Sequence, residues 1–166
     1  WQSLLFDRGQ VLDASLTAVG RLQGTTRDDA RDEQPGRIIQ QARRGPLARL
    51  GRNPFARYYG DFASPFDFVM YLGQLFAWTG DRKQLDRHWD NARRIMDWAR
   101  QHADPDGDGF LEYYTLSTDG PVHQGWKDSG RAIVDAQGAE VRPPLAVGEV
   151  QGYYFASLQT KAALGL

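Results

Sequence analysis

Apolar positions recur at helical spacing over residues 10–22, where Val11, Leu12, Leu16, Val19 and Leu22 share one face. Gly24-Thr25-Thr26 ends that pattern, and residues 25–34 are almost wholly polar, which predicts a surface loop. Pro35 suits the first turn of a new helix, because its missing N–H would be unpaired there. Ile38, Ile39, Ala42 and Leu47 continue a short helical pattern. Residues 51–63 predict an aromatic loop, with Phe55, Tyr58, Tyr59 and Phe62 set among Gly51, Pro54 and Gly60.

From Ser64 the pattern changes. Ser64-Pro65 reads as an N-cap followed by proline at the first helical position. The stretch from Phe66 to Trp78 is apolar on nearly every face, which predicts a helix covered on all sides. Thr79-Gly80 stops it and Asp81 caps the next helix, Asp81 to His102. There Leu85, Trp89, Ala92, Met96 and Ala99 form one apolar face, and the rest is mostly charged or amide-bearing. His88 and His102 read as surface residues of that helix. So short a link makes the two helices antiparallel neighbours, one inner and one outer. An all-α fold of inner/outer helix pairs, as in an α/α toroid, needs this pairing; a bundle with a buried central helix is the structural alternative.

Beyond Pro105, Phe110–Tyr114 reads as a short extended segment, residues 117–130 as turns, and Arg131–Val141 as a small β-hairpin around Ala136-Gln137-Gly138. Pro143-Pro144 is expected to start a last helix with Val147, Val150, Tyr154, Leu158 and Ala162 on its apolar face. Nothing divides residues 1–166 into separate domains.

Net charge is −1, so no overall field draws the chain to nucleic acid or to an anionic membrane. Arg43, Arg44, Arg49 and Arg52 read as a solvated helix face. No apolar run reaches the roughly 20 residues of a membrane span, and a cytoplasmic location is the default expectation. The absence of cysteine excludes thiolate chemistry. Aromatic residues make up 12% of the chain, enough to ask which of them stand beside polar groups in loops.

Three constellations carry candidate chemistry. Asp104, Asp106, Asp108 and Gly109 match the opening of a calcium loop, but the twelfth position is Thr115 instead of a bidentate Glu. The alternative is a turn whose Asp side chains accept backbone N–H groups, and on that reading no metal is assigned. In G-W-K-D-S-G (125–130), Asp128 stands beside Trp126 and Lys127. Desolvation by the indole would raise its pKa, as a general acid needs. The alternative is a turn carboxylate. In E-V-Q-G-Y-Y, Glu149 and Tyr153 lie four apart on a helix and face one way. Glycoside hydrolysis uses a pair of carboxyl groups flanking the bond, and the inventory permits that chemistry.

Six motifs fall in an order that resembles the bacterial glycogen-debranching-enzyme-like proteins of the amylo-α-1,6-glucosidase type. They are L-Q-G-T-x-R-D-D-x-R-D-E-x-P-G-R-I at 22–38, N-P-F-x-x-Y-Y-G at 53–60, L-x-x-W-T-G-D at 75–81, D-P-D-G-D-G-F-L-E-Y at 104–113, Q-G-W-K-D-S-G at 124–130 and E-V-Q-G-Y at 149–153. The resemblance implies an (α/α)6 barrel that cleaves α-glucosidic linkages with inversion. Asp128 would be the acid, and Asp32, Glu33, Tyr58, Tyr59, Trp126, Lys127, Glu149 and Gln151 would line the sugar pocket. It implies an oligo- or polysaccharide substrate and no cofactor.

The chain departs from the family where D-F-A-S-P replaces a D-x-T-P step, leaving Asp61 and Asp67 as the nearby acids. The base Glu of the family is expected beyond this region, so residues 1–166 are read as a central piece that turns over little by itself. A piece of a toroid is expected to expose inner-helix surface around Phe66, Phe68, Val69 and Leu72 and to self-associate. The rival reading is a non-catalytic carbohydrate-binding or scaffold protein derived from the same toroid.

Overall fold

Helix α4 (Ser64–Thr79) is the centre of the molecule. The computed structural model describes residues 2–50 and 56–166, and its architecture is mostly helical with one small two-stranded antiparallel sheet. Trp1, Arg52 and the Gly51, Pro54 and Phe55 part of the expected aromatic loop lie outside the described residues.

Ser64 is the first residue of α4 and not its cap; Ala63 holds the cap position, and Asp61 precedes it. The Asp61 Oδ1 accepts the Ala63 N–H at 2.9 Å and its Oδ2 accepts the Ser64 hydroxyl. Phe66, Val69, Leu72 and Leu75 are fully buried, each burial contributing about 1.5–3 kcal/mol. The helix packs on α2 (Gln10–Gly20), α5 (Arg82–His102) and α6 (Gly148–Leu164). It is not covered on every side, because Tyr71 and Trp78 reach solvent. Phe66, Phe68, Val69 and Leu72, expected to be exposed, are buried by these same three helices. The large apolar side chains left exposed on α4 and α6 are Tyr71, Trp78, Tyr153, Phe155 and Leu158.

Gly80 ends α4, donating its N–H to the Phe76 carbonyl, and the Asp81 carboxylate accepts the N–H groups of Lys83 and Gln84 to start α5. Of the expected apolar face of α5, Leu85, Ala92, Met96 and Ala99 are buried and Trp89 is partly buried; Ile95 and Trp98 join them. His88 belongs to that face and is buried, contrary to the surface reading. It follows Leu85 by three residues and precedes Ala92 by four, which puts it on the inner stripe. Its Nε2 lies 2.7 Å from Asp13 Oδ1, and its ring stands edge-on to Phe68.

Two expected helices are corrected. Residues 35–40 are a turn and an extended run. The chain then forms β1 (Gln41–Ala42), which pairs antiparallel with β2 (Arg57–Tyr58) around the short helix α3 (Pro46–Arg49). Arg43 and Arg44 are exposed in the loop after β1, so they do not share a helix face with Arg49. Gly36 is the cause. Its φ is +94°, and a Cβ there would lie 2.3 Å from the Arg94 carbonyl oxygen. The turn therefore lies directly on the α5 backbone and delivers Ile38 into the core.

The last helix starts at Gly148, not at Pro143. A residue before proline is held out of helical conformation, and Leu145 instead exchanges two backbone hydrogen bonds with Tyr113, both 3.2 Å. The packed face of α6 is Val150, Tyr154 and Ser157, whose hydroxyl donates to the Phe66 carbonyl at 3.1 Å. Leu158 and Ala162 point outward. The hairpin expected at 131–141 is a turn with a single bridge, Val134 to Glu140. The remaining helix, α1 (Gln2–Phe6), packs on α2. Among the described residues no helix is long and apolar enough to cross a membrane.

Gly36→Ala is expected to destabilise the fold by at least about 2 kcal/mol, combining left-handed strain with a backbone clash. Gly138→Ala, at φ +80° with open space around it, is expected to cost only about 1 kcal/mol. Urea denaturation of both variants checks the difference.

Candidate functional site

The expected surface loop is partly buried, with Asp32, Glu33, Gln34 and Arg37 inside, and its side chains hold it by hydrogen bonds. Asp28 caps a single 3-10 turn (Asp29–Arg31), and Asp32 follows in left-handed conformation at φ 53°. Its fully buried carboxylate accepts four donors. Oδ1 takes the N–H groups of Leu116 (2.6 Å) and Ser117 (3.1 Å). Oδ2 takes the Tyr58 hydroxyl (2.8 Å) and the Gln124 amide (3.1 Å).

Arg37 supplies the opposite charge. Its guanidinium donates to the Gln124 side-chain carbonyl at 2.6 Å and to the Asp32 backbone carbonyl at 3.2 Å, and it lies over the rings of Phe62 and Trp98. Burial lowers the Arg37 pKa and the Asp32 charge opposes that fall. Tyr58 is pushed well above the usual phenol range by burial, then by the Asp32 charge and its hydrogen bond.

Asp32 and Tyr58 are therefore spent on one another. Glu33 is likewise engaged. Its Oε1 accepts the Thr25 N–H, and its Oε2 pairs with Arg31 at 2.5 Å. The Tyr59 hydroxyl donates to the Leu22 carbonyl at 2.9 Å. These four expected pocket residues form a buried scaffold. Gln124 links it to the next loop, accepting the Phe62 N–H on its backbone carbonyl while its side chain holds Asp32 and Arg37.

The second group is assembled by Glu149, in the first turn of α6. Its Oε1 accepts the Trp126 N–H at 2.5 Å. Gly125 permits this approach, since a Cβ there would stand 2.8 Å from that oxygen. The result is a cleft of about 320 Å³ lined by Tyr113, Gly125, Lys127, Ile133, Val147 and Glu149. Burial, and then the Glu149 charge, push the Tyr113 phenol up to about 12. Behind it the Tyr113 hydroxyl lies 3.0 Å from His123 Nδ1, and the buried His123 places Nε2 3.5 Å from Glu140.

Trp126 and Asp128 flank Lys127 in sequence and are exposed, Trp126 at 85%. The expected shielding of Asp128 by the indole is thus absent. Among the described residues, the Glu149 carboxylate is the side chain that fastens this loop. Gln151 is not among the residues that line this cleft. Its side chain accepts the Leu111 N–H and donates to the Leu111 carbonyl, clamping both backbone groups. Sequence reading missed Arg37, Gln124, Tyr113 and His123. The first three stand inside quoted motifs, but no spacing signal marks a partner 87 positions away, as Gln124 is from Arg37.

Asp67 lies beside an apolar cavity lined by Leu16, Val19, Ile38, Phe68 and Tyr71. Burial, then the nearby Asp61 charge, raise its pKa to about 6. The 104–109 loop has the expected turn bonds. Asp104 accepts the N–H groups of Gly107 and Gly109, and Asp108 that of Phe110. No family model matches the chain, and no curated protein matches it.

Arg37→Met is expected to cost about 3 kcal/mol, because it leaves a buried carboxylate without its counter-charge; thermal and urea unfolding measure it. Asp67 has a folded pKa above its unfolded value, so the native state binds the extra proton and stability falls as pH rises from about 4 to 6. Asp67→Asn is expected to remove that part of the pH dependence and to raise stability at neutral pH. Unfolding curves across that interval test the sign.

Proposed function

We propose that the chain is part of an (α/α)6 glycoside hydrolase of the inverting α-glucosidase, glycogen-debranching type. The observation that carries the reading is the hydrogen bond from the Trp126 N–H to Glu149. It ties two motifs 23 positions apart at one cleft, and the indole of the same Trp126 is exposed to solvent. A flat aromatic face next to hydrogen-bonding carboxylates is what a sugar ring requires, since its C–H face stacks and its hydroxyls donate. In this reading Trp126 stacks on the substrate, Lys127 and Glu149 bind its hydroxyls, and Asp128 protonates the leaving glycosidic oxygen. The buried network around Asp32 and Tyr58 holds Gln124, which precedes the cleft residue Gly125; in this reading it does not touch sugar. The water-activating carboxylate is not assigned within residues 1–166.

A second reading has its own support. Asp128 is exposed, so the desolvation that tunes a general acid is not supplied by the residues around it. Without such tuning, the same cleft serves a carbohydrate-binding protein with no catalysis.

The full gene product is tested on a panel of α-linked glucosides beside Trp126→Ala and Asp128→Asn. Trp126→Ala is expected to weaken binding about tenfold or more. Asp128→Asn is expected to bind and melt as the wild type does while hydrolysis falls by about 10²-fold or more. Binding without hydrolysis by wild type and Asp128→Asn alike selects the second reading. No binding of any sugar sinks both.

A further inference from the structure

The excursion from β1 to β2 gathers four arginines around one cleft. Arg43, Arg44, Arg49 and Arg57 line a cavity of about 310 Å³, and no acidic residue shares its wall. The backbone sets this placement. Ala42 pairs with Arg57 across the two strands, and the Arg43 N–H donates to the Ala56 carbonyl at 2.7 Å. Arg43 and Arg57 therefore flank the cleft from opposite strands. Arg49 comes from the last turn of α3, where its N–H bonds the Gly45 carbonyl at 3.1 Å.

A separate observation is what these side chains lack. All four are exposed, and among the described residues none of them makes an ion pair or a side-chain hydrogen bond. Elsewhere Arg27, Arg31, Arg82, Arg87, Arg93 and Arg100 each meet a carboxylate. Acids are not scarce, since the chain has 21 Asp and Glu against 20 Lys and Arg. Glu33 and Arg57 both act on the Tyr59 phenol, yet Glu33 is already held by Arg31 and by the Thr25 N–H. Four like charges on one concave surface repel one another and focus a positive field into the cleft.

The chemistry of the group selects the ligand. A guanidinium offers paired N–H donors that fit phosphate oxygens two at a time. A phosphate monoester carries about −1.5 to −2 at neutral pH and three acceptor oxygens, so two such groups match four guanidiniums in charge. A single carboxylate would leave most of the positive charge unmet. The cavity holds the volume of about ten waters at ~30 Å³ each, near the lower end of small-molecule sites at about 300–1,000 Å³. That size suits a compact anion and not the length of a nucleic-acid strand.

We propose that this cleft binds a small anion bearing two phosphate groups, with Arg43, Arg44, Arg49 and Arg57 as its ligands. The phosphates come either from a free diphosphate or from a sugar esterified twice. The cleft shares no lining residue with the one at Glu149, so the site stands whether or not that cleft binds sugar.

The test is calorimetric titration of the full 166-residue chain with inorganic pyrophosphate and with glucose 1,6-bisphosphate. The expected result is saturable binding that weakens as salt is raised, because exposed charges are screened. Orthophosphate and citrate at the same ionic strength are expected to bind at least about tenfold more weakly. Tighter binding of pyrophosphate marks the free diphosphate as the source, and tighter binding of the bisphosphate marks the sugar ester. Arg43→Gln and Arg57→Gln are each expected to weaken binding at least about fivefold while melting no lower than the wild type, since each relieves repulsion at an exposed position. Arg93→Gln, exposed on α5 and not part of the cleft, is expected to leave affinity unchanged. No saturable binding of either probe at millimolar concentration overturns the proposal. So does citrate binding as tightly as the phosphates, or a loss of affinity in Arg93→Gln equal to that in the cleft variants.

Discussion

The buried charge pair of Asp32 and Arg37 is the constraint on which the loops of this protein depend. Neither charge can be left alone in an apolar interior, so each must be met by oriented polar groups. Meeting them recruits Tyr58 from β2, Gln124 from the turn-rich segment, and the backbone of Leu116 and Ser117. Three loops distant in sequence thereby acquire fixed positions. The aromatic rings of Phe62 and Trp98 beneath the Arg37 guanidinium carry the same constraint into the core formed by α4, α5 and α6. The left-handed Asp32 is a local cost that four accepted hydrogen bonds offset.

The helices were legible because their signals are local. The period of α5, its Asp81 cap and the Gly80 stop each act within one or two turns, and the structure has them where the pattern puts them. What was not legible depends on partners far away in sequence. Ile38 and Ile39 continue a helical pattern, yet Gly36 lies against the Arg94 carbonyl and only a left-handed turn fits there. Ser157 hides the packed face of α6, because a hydroxyl that donates to the Phe66 carbonyl looks polar in sequence while being fully buried. His88 was misjudged for a related reason. Its partner Asp13 sits on another helix.

The candidate site divides along the same line. The resemblance implied that Glu149 and Trp126 share a pocket, and a hydrogen bond joins the Trp126 N–H to the Glu149 carboxylate. That Asp32, Tyr58 and Gln151 act as scaffold could not be read from residue type. Asp, Tyr and Gln hold sugars and hold backbones with the same atoms. Only the census of partners separates the roles: Asp32 accepts four bonds and Gln151 closes a two-way clamp on Leu111. By the same census Trp126, Lys127 and Asp128 remain available.

That availability bears on how the site must work if Asp128 is an acid. A general acid must keep its proton near neutral pH, and low-dielectric surroundings are one means of that. Two things can act this way at Asp128. A bound sugar stacked on Trp126 excludes water from the loop, and a covering element brings a low-dielectric wall or a second negative charge. Glu149 already demonstrates the second effect within the cleft, since its charge helps raise the Tyr113 phenol. An acid at Asp128 would therefore be created by what closes over the loop and not by the loop alone. The network around Asp32 and Arg37 would matter to it by holding Gln124, and with it the start of the loop, at a fixed distance from Glu149.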